Sequence, residues 1–126
     1  MTIARAARIA LSTCAAIAGC AVAPATQPDA RNVARLEIAP YAAHEECASL
    51  APGDRLDWRF ESTEPVAFNI HYHDANMIVM PITRDNATSE AGVFAPSLKQ
   101  GYCMMWEAGA AGATIAYRVN VRRATP

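Results

Sequence analysis

The 126 residues contain no P-loop, no Ser nucleophile elbow and no dinucleotide-binding glycine pattern. The common local signatures of nucleotide chemistry and serine hydrolysis are therefore missing. A basic patch is missing too: 11 Lys and Arg are spread against 12 Asp and Glu, for a net charge of −1. Nucleic acid is bound through a clustered cationic surface, so this composition argues against such a partner. After the first 25 residues there is no apolar run of membrane-spanning length and no long segment of helical period. Internal repeats are absent, and no low-complexity tract occurs beyond the Ala-rich signal and tether.

What is present begins at the N-terminus, "MTIARAARIALSTCAAIAGCAVAPAT". Arg5 and Arg8 precede an apolar or small-residue run from Ile9 to Gly19. That run falls short of the ~20 residues a spanning helix needs and reads as an export signal. Ile17-Ala18-Gly19-Cys20 resembles the lipobox of bacterial lipoproteins. The resemblance implies a signal peptide over residues 1–19 and a lipidated Cys20 as the first mature residue. Ala21, where Asp is absent, resembles the outer-membrane sorting pattern. Ordinary cleavage after a small residue such as Ala25 is the alternative. The expected location is the bacterial cell envelope, at the outer membrane facing the periplasm. The membrane is reached through the lipid anchor, and an envelope protein is a possible partner.

Residues 20–32, small, polar and Pro-containing, are expected to be a flexible tether, and residues 33–126 one domain. Loss of Arg5 and Arg8 leaves 9 basic residues against 12 acidic ones, a mature charge near −3. Four Cys occur: Cys14 leaves with the signal and Cys20 goes to lipid, so Cys47 and Cys103 remain. In an oxidising compartment that even remainder makes a Cys47–Cys103 disulfide the default.

The domain alternates with period two. In "RLDWRFES", Leu56, Trp58 and Phe60 share one face, and Arg55, Asp57, Arg59 and Glu61 the other. In "VAFNIHYHD", Val66, Phe68, Ile70 and Tyr72 oppose Asn69, His71 and His73. "GYCMMWE" sets Tyr102, Met104 and Trp106 against Cys103 and Met105, and "TIAYRVNVRR" sets Ile115, Tyr117, Val119 and Val121 against Arg118, Asn120 and Arg122. Pro52-Gly53 predicts a type II turn. "STEP" is read as a break between strands, "MIVMPI" as a short strand ended by Pro81, and "TRDNATSEAG" as a polar loop. Short strands separated by turn signals predict an all-β fold, a single antiparallel β-sandwich.

Two families resemble this pattern. From about Cys47 to Val121 the chain is similar to the GOLD domain of secretory cargo receptors: an early Cys, a "GD" turn, alternating strands and a late "GY-C" strand. That resemblance implies a disulfide across a sandwich at Cys47 and Cys103. The family's Asn after the second Cys, its coiled coil and its C-terminal membrane helix have no counterpart here. "PGDRLDWRF" and "GYC" also resemble cupredoxin segments. A blue-copper site takes two His, a Cys and a weak axial Met. No His or Met follows Glu107, so that ligand set is incomplete.

His71 and His73 share a strand face about 7 Å apart by strand rise. With Met105, on the Cys103 face of its own strand, they form a candidate metal set suited to copper, thioether sulfur being a soft ligand. Periodicity alone predicts that both imidazoles point away from the core, available to water, a metal or a partner. His44 lies close to Cys47 and would suggest a thiol nucleophile, but a disulfide leaves no nucleophile. Glu45 and Glu46 point to opposite sides of an extended segment. No catalytic set emerges, and no cofactor is expected outside the copper alternative. The sequence reads as an envelope-anchored lipoprotein whose disulfide-linked sandwich is a binding or structural module and not an enzyme, with a periplasmic copper-binding protein as the alternative.

Overall fold

The computed structural model describes residues 28–125; the signal segment and Cys20 lie outside the described residues. Six strands follow in order: β1 (Ala30–Ile38), β2 (Ala43–Leu50), β3 (Arg55–Asp74), β4 (Met77–Phe94), β5 (Gln100–Ala108) and β6 (Ala113–Arg122). β1 takes in Ala30–Asn32, which the sequence reading assigned to the tether. All pairings are antiparallel.

One curled sheet makes both layers. β3 pairs with β6 over Arg55–Ser62 and with β5 over Val66–His71, while β4 follows its other edge throughout. One arm therefore runs β1-β6-β3-β4 and the other β2-β5-β3-β4, joined where the β3–β4 ribbon turns the corner. At that corner Ser62–Pro65 of β3 face only Thr88 of β4, because Glu61 pairs with Ser89 and Val66 with Ala87. The extra residues on one strand bend it, as β-bulges do.

This corrects three expectations. "STEP" does not separate two strands; it is the bulged corner of one 20-residue strand. "TRDNATSEAG" is not a loop but the middle of β4. Pro81 does not end a strand either: Met80 and Pro81 together oppose His71 in a bulge, so the missing N–H of Pro81 costs no ladder bond. The start of β4, Met77–Met80, reads as a strand; its middle is illegible because this edge strand faces water there and carries no apolar alternation.

The predicted faces hold elsewhere. Leu56, Trp58, Phe60, Val66, Phe68, Ile70, Tyr102, Met104, Trp106, Ile115, Tyr117, Val119 and Val121 are all buried. Phe60 on one arm meets Phe68 at 5.0 Å and Trp106 at 5.9 Å on the other, and Trp106 stacks on Tyr117 at 4.8 Å. These rings weld the two arms, each large apolar side chain contributing roughly 1.5–3 kcal/mol by burial. The Pro52-Gly53 turn forms as predicted: Asp54 N–H donates to Ala51 O at 3.0 Å, and Gly53 takes φ 97°.

Candidate functional site

Two polar clusters lie on opposite faces of β2, one on the outside of the second arm and one between the arms. The outer one contains the histidines singled out from sequence. The register sets Asn69 beside Met105 and Met105 beside Glu45; one step along, His71 lies beside Cys103 and Cys103 beside Cys47. Cys47 and Cys103 are joined by a disulfide with an S–S distance of 2.06 Å. The link connects directly paired residues of β2 and β5, so it pins an edge strand to its neighbour.

The phase of His71 and His73 is as predicted, but their exposure is not equal. His73 is open to solvent, whereas His71 is 3 % exposed. A lateral neighbourhood that periodicity does not encode encloses His71. Its Nδ1 lies 2.8 Å from Asn69 Oδ1, its Nε2 3.6 Å from Glu45 Oε1, and its ring meets that of His73 edge to face at 5.4 Å. The amide oxygen of Asn69 only accepts, so the Nδ1 proton is placed there. In the neutral ring Nε2 then turns a lone pair toward the Glu45 carboxylate. A metal ion between the two would be held by both.

Met105, the expected third group, is half-buried beside Asn69 in the ladder; the group beside His71 Nε2 is the carboxylate of Glu45. Among the described residues, the three donor groups that come within 4.8 Å of one another are Glu45, Cys47 and Cys103. Two of those are spent in the S–S bond.

The inner cluster was not foreseen. Glu46, on the face of β2 opposite Glu45, is 4 % exposed. The Tyr117 hydroxyl donates to its Oε2 at 2.8 Å, and Arg31 Nη2 donates to the same oxygen at 3.0 Å. His44 Nε2 lies 3.1 Å from the Tyr117 hydroxyl, whose proton is already given to Glu46, so the imidazole is the donor there. His44 thus serves Tyr117 and not a thiol. Burial and the Glu46 carboxylate both push the Tyr117 phenol well above its ordinary value of 10. Arg31, Glu46 and Tyr117 come from β1, β2 and β6, so the cluster ties together the edge strands β1 and β2, which share no ladder, through Tyr117 of β6. Its only sequence signal was the phase of Glu46 with Leu50, and that phase is invisible on a strand whose inward positions include His44 and Glu46.

At the other end of the molecule Asp54 accepts from Ala51 N–H and Ala124 N–H, each at 2.9 Å, and from Arg123 Nη1 at 3.2 Å. The two backbone donors, and then Arg123, hold its carboxyl below the usual value despite burial. It fastens the chain's last described residues to the Pro52-Gly53 turn.

No protein-family model matches the chain, and no curated protein is similar to it in sequence. The fold is an all-β sandwich-like domain carrying a structural disulfide.

Proposed function

We propose that the protein is an envelope lipoprotein whose domain acts as a binding or structural module, held at the membrane through Cys20. The observation that carries this reading is the Cys47–Cys103 disulfide between paired strands. Such bonds persist in exported proteins and are rare where glutathione keeps thiols reduced. The Ile17-Ala18-Gly19-Cys20 pattern supports the anchor, and the small polar segment after it supports a short tether between lipid and domain. The buried carboxylates, Glu46 and Asp54, have their bonds taken up by internal donors, which suits a scaffold better than a catalytic centre.

The test is fractionation of the native envelope. The wild-type chain is expected in membranes with acyl groups on Cys20, and Cys20→Ser in the soluble fraction or unprocessed. Alkylation without reduction should label neither Cys47 nor Cys103. An unmodified mature chain that starts elsewhere would overturn the anchor, and two free thiols would overturn the module.

A copper-binding reading stands second, favoured by the edge-to-face contact of His71 and His73 beside Glu45. Two imidazoles and a carboxylate suit Cu(II), and Met105 stands on the neighbouring row of the ladder, between Asn69 and Glu45. Copper titration of wild type, His71→Ala and His73→Ala decides it: one ion bound by wild type and lost in both variants supports it, and equal binding by all three removes it.

A further inference from the structure

We infer that the β3–β4 tip and the neighbouring 95–99 loop form the face that lies against the phospholipid leaflet holding the Cys20 acyl chains. This rests on the lipidation reading. Met77, Ile78, Met80 and Leu98 are large apolar side chains 46–64 % exposed, and three of them crowd into four residues at the start of β4. Soluble surfaces carry isolated apolar residues without consequence, but a cluster of this kind marks a contact surface.

The ladders place the cluster at one end of the molecule. His71 pairs with Cys103, so Asp74, three residues on, comes level with Gln100, which pairs with Leu50. The Ala51–Asp54 turn carries Leu50 over to Arg55, which pairs with Arg122. Two residues along that ladder, Asn120 pairs with Ala30, where β1 begins. The apolar tip, the 95–99 loop and the point where the chain comes in from Cys20 therefore share one end. The opposite end carries the β1–β2 connection with Tyr41, hydrogen-bonded to Gly109 O at 3.1 Å.

The length of chain between Cys20 and Pro28 selects the leaflet as occupant. At no more than about 3.5 Å per residue, those eight steps reach at most about 28 Å. A nine-residue strand such as β1 is itself about 30 Å long. The near end thus rests at the bilayer without strain, and the Tyr41 end reaches it only if the domain folds back along its own tether. Lys99 beside Leu98 offers a cation to phosphate headgroups, and Asp74 at the tip offsets it. Apolar insertion, not charge, is the attraction.

The test uses the lipidated full chain in phosphatidylethanolamine–phosphatidylglycerol vesicles that contain brominated phospholipid. A fluorophore is attached through Met77→Cys, Leu98→Cys or, as control, Tyr41→Cys. Quenching several-fold stronger at positions 77 and 98 than at 41 is expected. With the probe at 77, the triple change Ile78→Ser, Met80→Ser, Leu98→Ser should reduce that quenching while Cys47 and Cys103 stay unreactive to alkylation. Equal or absent quenching at 77 on a chain that mass spectrometry shows acylated at Cys20 overturns the inference and leaves the anchor standing. Protection of position 77 from aqueous iodide in native envelopes, without lipid quenching there, assigns the tip to a protein and also overturns it. A chain not acylated at Cys20 sinks both readings.

Discussion

Glu46 and Tyr117 decide more at the residue scale than any position marked in the sequence. A buried carboxylate survives only with its lone pairs satisfied, and Arg31 and Tyr117 supply the donors. Tyr117→Phe keeps the ring stack on Trp106 but leaves Glu46 one donor short. The expected loss is roughly 1–3 kcal/mol of unfolding free energy, read as a lower urea midpoint at unchanged slope. The raised phenol value also fixes a pH response. The unfolded chain ionises Tyr117 near 10 and the folded chain does not, so its contribution is whole below pH 10 and is lost as pH rises towards the folded value. Alkaline melting curves of wild type should fall more steeply than those of Tyr117→Phe. Asp54 works at the opposite extreme. Its folded value lies below 3.8, so its contribution is present above that value and disappears as pH falls through the folded one. Asp54→Asn should flatten the acid side of the stability profile and lower the thermal midpoint at pH 7. An acid limb as steep as wild type would remove Asp54 as its source.

At the scale of elements, the β3–β4 ribbon is the organising unit. Trp58 pairs directly with Gly92, and a Cβ built on Gly92 would lie 2.7 Å from Trp58 Cζ2. The ring has little room to retreat, since it already packs against Phe68 at 4.6 Å and Phe60 at 6.4 Å. Gly92→Ala should therefore cost about 1–3 kcal/mol, the usual cost of overpacking, with a shifted Trp fluorescence spectrum as the local signature. A neutral Gly92→Ala would mean that β4 lifts off β3 at little cost. The bulges on this ribbon do the work that separate loops do in simpler sandwiches. They turn the corner at Ser62–Pro65, and they absorb Pro81 opposite His71.

For the whole molecule, the Cys47–Cys103 link closes a loop of 56 residues that includes all of β3 and β4. Replacing both cysteines by Ser should cost roughly 2–5 kcal/mol, the range for small exported domains that lose a native bridge. The midpoint should fall by the same amount when wild type is reduced. If reduced wild type and the double Ser variant matched the oxidised protein, the fold would rest on its aromatic core alone.

The sequence by itself determined which strand faces are apolar, the Pro52-Gly53 turn and the residues that form the bridge. Leu56-Trp58-Phe60, Val66-Phe68-Ile70 and Ile115-Tyr117-Val119 were legible because side chains alternate strictly along a strand and one face must leave water. Tertiary structure alone decided that β3 and β4 are continuous, that Glu46 is enclosed and that His71 is buried while His73 is not. Each of these depends on a neighbour distant in the chain: β3 for the polar middle of β4, Arg31 and Tyr117 for Glu46, and Glu45 and Cys103 for His71. Periodicity reports which way a side chain points. What it meets there is set by sheet register and curvature, which no local pattern encodes.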